Sequence, residues 1–337
     1  MKLMRGGLAK IKKVINRSTW ISARNYHPPC LWSKGIRQFC DYKGPDSYWH
    51  AETEACQPES FFRRHYGGAS GLVWVRLSSQ SVDGKPCDLD HFVRGALPTI
   101  REPFALITTD GDASVPGDLS ADTVEALLDC PWLISWHSQN YTGHTHAKLA
   151  PFPIGIDLHT PRFCSSPRRL VGQLQHIRKS RPPLEHLPLR VFCDLKVSLA
   201  SEERRRAVAV LRNFDHVDFI RKRMSQTAIW RRYAEYPFVI SAAGNGLDCH
   251  RTWELLYLGS IVVTKTSPLD RLFDGLPVVI VEDWNEVGDK GNLAKWLQQY
   301  GRLTDRTAVW RRLEPGTLVN SIREVLLKSS HGARVDP

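Results

Sequence analysis

Apolar and polar positions alternate along this chain in two blocks, separated by a Pro-rich stretch. In the first block, Gly71 to Leu77 reads as a strand and Asp88 to Leu97 as a helix. Pro103 to Thr109 reads as a buried strand ending at Asp110-Gly111-Asp112. Ser120 is placed to cap a helix running through Leu128, and Trp132 to Trp136 is another strand. Leu149 to Ile156 is an apolar segment broken by proline. The second block opens with a strand over Leu189 to Leu195 and a helix from Ser201, with Glu202 and Glu203 in its first turn, where the helix dipole favours acids. Strands follow at Val217 to Ile220, Phe238 to Ser241, Ser260 to Lys265 and Pro277 to Val281. Helices are expected over Thr227 to Glu235, Cys249 to Leu258, Gly291 to Tyr300 and Leu318 to Leu327. Strands alternating with helices predict parallel sheets joined by crossover helices.

The expected fold is therefore α/β, with two Rossmann-like doubly wound domains facing a cleft. Residues 1–65 read as a basic N-terminal segment followed by an irregular, aromatic- and Pro-rich region. Residues 66–165 form the first domain, 166–188 a Pro-rich linker and 189–330 the second domain. A length of 337 residues fits such a pair.

Charge sharpens the picture. The net charge is +11, but residues 1–40 hold nine Lys or Arg and no acid, so the other 297 residues are nearly neutral. A nucleic-acid-binding body would spread its basic excess over one face, so nucleic acid is not expected as a partner. Leu3, Leu8, Ile11, Val14 and Ile15 recur at helical spacing among lysines, the pattern of a surface helix that touches anionic lipid. No stretch approaches 18 apolar residues, and no apolar signal core follows the basic start; a cytoplasmic chain, peripheral to a membrane through its basic segment, is expected. The eight cysteines form no CxxC pair, which argues against a zinc ribbon.

Residues 238–284 carry the densest chemistry. Gly244-Asn245-Gly246 lies between a strand end and a helix start, where glycines let backbone approach a ligand and the helix offers unpaired N–H groups. His250 and Arg251 stand in the first helical turn and can add positive charge to a phosphate site. Glu254 shares their helix face and can accept ribose hydroxyls. In the first block, Asp110 and Asp112 form a DxD at a strand end. Asp110, Asp112 and His137 are all candidates for a general base, and the residues themselves do not choose among them. His250 and Glu254 have helical metal-ligand spacing but lack a second His on that turn, so no metal and no other cofactor is expected.

The run GNGLDCHRTWE, followed by LYLGSI, a Lys265-containing SPLD loop and LPVVIVEDW, resembles the C-terminal domain of exostosin-like glycosyltransferases of the GT-B fold. TTDGDASVP and ISWHSQNYTGHTHAKLAPFPIGID are similar to that group's N-terminal domain. Ala242 and Val262 stand where the family pattern has proline. The resemblance covers roughly 103–160 and 190–300. It implies a transferase moving a sugar from a nucleotide-sugar donor to a glycan or lipid-linked acceptor, with the donor on the second domain and the acceptor on the first. On that basis Gly244, Asn245 and Gly246 would cradle the diphosphate, and His250 and Arg251 would offset leaving-group charge. Glu254 would bind the ribose, and Lys265 and Ser267 would complete the phosphate side. The competing expectation is a non-catalytic binding module that keeps this fold.

Overall fold

The computed structural model describes residues 26–50, 56–77, 87–160, 162, 165–196 and 202–332. The basic segment expected to meet lipid, residues 1–25, lies outside the described residues. The chain builds two parallel sheets flanked by helices, the α/β architecture expected from the alternation.

The first sheet contains β1 (Gly71–Arg76), β2 (Phe104–Thr109), β3 (Leu133–Ser138) and β4 (Leu149–Pro151), in that spatial order and all parallel. Helix α1 (Glu59–Tyr66) falls in the region expected to be irregular and packs on α2 (Asp88–Gly95). The link from β1 to β2 carries α2, and that from β2 to β3 carries α3 (Ala121–Asp129), whose cap is Ser120. Strands laid down in one direction put their right-handed crossovers on one face. Every residue of β2 is nonetheless buried, so the other face needs a cover of its own.

That cover comes from the far end of the described chain. Helix α10 (Pro315–Gly332) packs against β1, β2 and β3. Its buried Val319, Ile322 and Leu326 recur at helical spacing. Arg323 fixes its position by pairing with both Asp41 oxygens at 2.9 Å and donating to the Phe39 carbonyl at 2.9 Å.

The second sheet has the order β6-β5-β7-β8-β9, again all parallel: β5 (Val191–Cys193), β6 (Val217–Phe219), β7 (Phe238–Ile240), β8 (Ile261–Lys265) and β9 (Val278–Val281). Its helices include α5 (Glu202–Leu211), α6 (Gln226–Tyr233), α7 (His250–Leu258) and α8 (Lys290–Tyr300), and α9 (Arg306–Arg312) follows them. Among the described strands, the order reverses only here: the chain steps outward from β5 to β6, then returns to the other side of β5 as β7. Alternate strand residues serve two cores. Val191, Cys193, Phe238, Ile240, Ile261 and Val263 face one cluster, while Phe192, Val239 and Val262 face the other. The latter cluster continues without interruption into the first sheet, so one core spans both halves.

The Pro-rich segment expected as a linker, with a helical piece near Leu170–Arg178, carries a 14-residue helix, α4 (Pro167–Ser180). Ser166 caps it and Pro167 takes its first position, where a missing N–H costs nothing. Leu170, Val171, Leu174 and Ile177 bury its apolar face against α6 and α7. Among the described residues, no helix is long and apolar enough to cross a membrane.

Candidate functional site

In an open parallel sheet, the loops that leave neighbouring strands in opposite directions open a crevice at the strand C-terminal ends. Here that point lies between β5 and β7. Asp194 follows β5, and Ser241 to Cys249 form the loop from β7 into α7. The Gly244 amide donates to the Gly246 carbonyl at 2.9 Å, so the loop closes on itself. Cys249 occupies the cap position of α7 without accepting a backbone N–H through its side chain.

Two arginines reach this loop. Arg251, in the first turn of α7, forms a 2.8 Å ion pair with Asp194, whose other oxygen accepts the Tyr233 hydroxyl at 2.7 Å. Burial works against the guanidinium charge, but the Asp194 carboxylate outweighs it and holds the Arg251 pKa above its ordinary value. Arg204, on α5, donates to the Ala243 carbonyl at 2.9 Å and the Ala242 carbonyl at 3.3 Å. Arg204 belongs to a run of three consecutive arginines, Arg204 to Arg206. Nothing in that run marks which of the three turns inward, and the 39-residue separation from Ala243 hides the contact.

The same loop is clamped to the first half. The Asn140 Oδ1 accepts the Asp248 amide N–H at 3.0 Å, and its Nδ2 donates to the Gly111 carbonyl at 3.2 Å. Asn140 holds a positive φ of 54° and is 1% exposed. Gly246 abuts it so closely that a Cβ there would fall 2.6 Å from Asn140 Oδ1. Asp248 accepts the Ile154 amide at 2.7 Å and Trp253 Nε1–H at 2.7 Å. Burial pushes its carboxyl pKa up to about 7.

His250 and Glu254 do not face open space. His250 Nδ1 lies 2.7 Å from the Gly155 carbonyl, and its ring packs 5.1 Å from that of His159. Glu254 is 5% exposed and accepts from Gln226 Nε2 and Trp230 Nε1, each at 2.9 Å. Burial raises its pKa to about 7. The structure therefore groups Gly244, Asn245, Gly246 and Arg251 around one loop, and turns His250 and Glu254 toward the segment that follows the first sheet. Lys265 ends β8, with Nζ 3.8 Å from Glu203 Oε2. Ser267 accepts the Leu269 amide at 3.2 Å and so shapes its own turn.

On the first sheet, Asp110 sits immediately after β2 at a φ of 67° and is 5% exposed. Lys34 Nζ lies 3.0 Å from its Oδ2, and its amide donates to Gln139 Oε1 at 3.0 Å. Gln139 Nε2 also donates to the Gly111 carbonyl, so Gln139 and Asn140 together brace the Asp110–Gly111 turn. Asp112 is exposed. His137 lies within β3, with Nε2 3.1 Å from Ser135 Oγ, and desolvation lowers its pKa to about 4. Asp110 is thus joined to the Gly246 loop through Asn140, whereas His137 is not. A cavity of about 670 Å³ opens beside Phe219, Arg221, Lys222 and Arg232 at the β6 edge; no residue of the 244–254 run lines it.

The chain matches no known protein family profile and no curated protein sequence. Among solved structures it is similar to an α,α-trehalose-phosphate synthase (UDP-forming) from Burkholderia vietnamiensis. That likeness has 9% identity and a TM-score of 0.40, over 77% of this chain and 75% of that one. It is also similar to the spinosyn rhamnosyltransferase SpnG, at 13% identity and a TM-score of 0.36, over 74% and 72% of the two chains. A third is the trehalose-6-phosphate synthase OtsA, at 8% identity and a TM-score of 0.39, over 79% of this chain and 72% of that one.

Proposed function

We propose that this protein is an exostosin-like glycosyltransferase of the GT-B type, moving a sugar from a nucleotide-sugar donor to a hydroxyl of a glycan or lipid-linked acceptor. The observation that carries the reading is the position of the Gly244-Asn245-Gly246 loop and the first turn of α7. Both lie at the strand-order reversal of a parallel sheet, where such folds take phosphate-bearing ligands. Arg251, already ion-paired and rigid, supplies fixed positive charge there. Preorganised charge of this kind stabilises a departing diphosphate without reorganisation. Arg204 joins the group proposed from sequence, because it holds two carbonyls of the same loop.

Asp110 is the proposed acceptor-side base. It stands at the mouth of the first sheet and connects to the donor loop through Asn140. The metal-free donor site expected from sequence remains part of this proposal, as does peripheral membrane contact through residues 1–25. A second reading, a binding module without catalysis, draws on the engagement of His250 and Glu254 within the protein.

The test is a thermal-shift screen with UDP, GDP, CMP and dTDP and their sugars, with and without EDTA, on the unsubstituted protein and Arg251→Ala. A ligand at a hundredfold excess over its dissociation constant adds about 2.7 kcal/mol of stability. Stabilisation by one nucleotide class, retained in EDTA and lost in Arg251→Ala, supports the donor site. No stabilisation by any of them would favour the binding module. Flotation with anionic and neutral vesicles tests the lipid contact; equal binding to both would refute its electrostatic basis.

A further inference from the structure

We infer that Asp157, His159 and His250 form a site for a divalent cation of the zinc class, which ties the segment leaving the first sheet to the first turn of α7. This inference goes beyond the glycosyltransferase reading and does not rest on it. One ligand atom from each of the three residues lies within 4.8 Å of the other two. The Asp157 Oδ1 to His159 Nδ1 distance is 3.3 Å. Bonds of about 2.0–2.1 Å in a tetrahedral zinc site place neighbouring ligand atoms about 3.3 Å apart. That contact is not a hydrogen bond: His159 Nδ1 is buried and has no hydrogen-bond partner.

The surroundings orient each ligand as an outer shell does. His250 Nδ1 donates to the Gly155 carbonyl at 2.7 Å, which leaves the lone pair on Nε2. Asp157 Oδ2 takes Arg162 Nη2 at 2.7 Å, and Oδ1 accepts the Thr160 amide N–H at 2.9 Å, which leaves Oδ1 one lone pair for the cation. Arg162 is itself held by the Thr160 carbonyl at 3.1 Å and Gln226 Oε1 at 3.2 Å. Two imidazoles and one carboxylate suit zinc and leave a fourth position for water. Sequence spacing hid the set, because His159 and His250 are 91 positions apart and share no helix turn.

The experiment is calorimetric titration of Zn²⁺ alone into the full chain, the unsubstituted protein beside His159→Ala and His159→Gln, with far-ultraviolet circular dichroism to confirm that each variant is folded. The expected result is one site in the unsubstituted protein, weakened at least tenfold in both variants, and a Zn²⁺-dependent rise in melting temperature that both variants lose. Co²⁺ substitution should give the visible absorption of a tetrahedral nitrogen and oxygen site without a thiolate charge-transfer band. No Zn²⁺ binding by the unsubstituted protein, equal binding by the variants, or a thiolate band would each overturn the inference. Because no nucleotide is present, a failed donor screen leaves this result standing, and the converse also holds.

Discussion

Asp248 offers a quantitative test of how the two halves meet. Its carboxylate is 5% exposed, and its two oxygens accept one N–H from each half of the molecule, Ile154 and Trp253. Burial raises its pKa from 3.8 to about 7. A folded-state pKa above the unfolded one means that the native state binds the proton more tightly. Stability then falls as pH rises between those two values. At about 1.4 kcal/mol per pH unit, ionisation costs the native state about 2 kcal/mol at pH 5 and about 4 kcal/mol at pH 7.5. Asp248→Asn cannot ionise. The amide gives up one of the two acceptors, a penalty of about 1–3 kcal/mol that does not change with pH. The stability of Asp248→Asn relative to the unsubstituted protein should therefore improve by about 2–3 kcal/mol between pH 5 and pH 7.5. Urea unfolding followed by tryptophan fluorescence at both pH values measures this difference of differences, in which the constant penalty cancels. His137 and His250, both shifted down to about 4, make stability rise with pH from about 4 to 6.5, but they are present in both proteins and cancel as well. A relative stability that stays constant within about 0.5 kcal/mol would show that the carboxylate is hydrated and that the junction is open around it.

Other consequences of the same junction are measurable. Gly246→Ala forces a Cβ to within 2.6–2.9 Å of the Asn140 amide and should cost about 1–3 kcal/mol. In Gly244→Ala the added Cβ meets the end of the Arg204 side chain at 2.6 Å and Cys249 Sγ at an ordinary 3.4 Å, so it should cost less; equal losses in denaturant midpoints would contradict this packing. Asn140→Ala strips the buried Asp248 amide of its acceptor and should cost about 1–3 kcal/mol by the same assay, whereas a neutral result would mean that water replaces the side chain. Arg251→Met leaves Asp194 buried without its cation, a loss of about 3–5 kcal/mol. Adding Asp194→Asn should recover part of that loss, and strict additivity of the two substitutions in a double-mutant cycle would argue against the pair.

Much of the secondary structure is legible in the chain because β2 and β3 are short apolar runs bounded by turn residues, and Ser120 announces its helix. The parallel sense of the sheets follows from the same alternation. What periodicity does not carry is where each element packs. Leu170, Val171, Leu174 and Ile177 have helical spacing, while five prolines between 161 and 188 give the segment the composition of a linker, so its packing against two helices does not show. Helix α10 reads as amphipathic without showing that its partner sheet lies near the other end of the described chain. At the site, Gly244, Gly246 and Arg251 are visible because loop, glycine and helix start are local signals. Asp194, Arg204 and Asn140 are not, since each acts through a partner 38 or more residues away. The four-residue spacing of His250 and Glu254 puts them on one helix face, and Arg251, which the spacing also allows there, turns to Asp194 instead. Which face the fold would bury depends on the 155–162 segment, whose approach no spacing rule reports.

The placement of α10 bears on the order in which the molecule can be made. A ribosome releases β4 about 160 residues before it releases α10. At typical synthesis rates of 5–20 residues per second, that gap lasts about 8–30 s. During it the first sheet is complete in its strands yet bare on the face that α10 will occupy. The nascent first half is thus an obvious client for a chaperone that holds apolar surface. A premature stop before Pro315 would damage the half of the protein that was synthesised first.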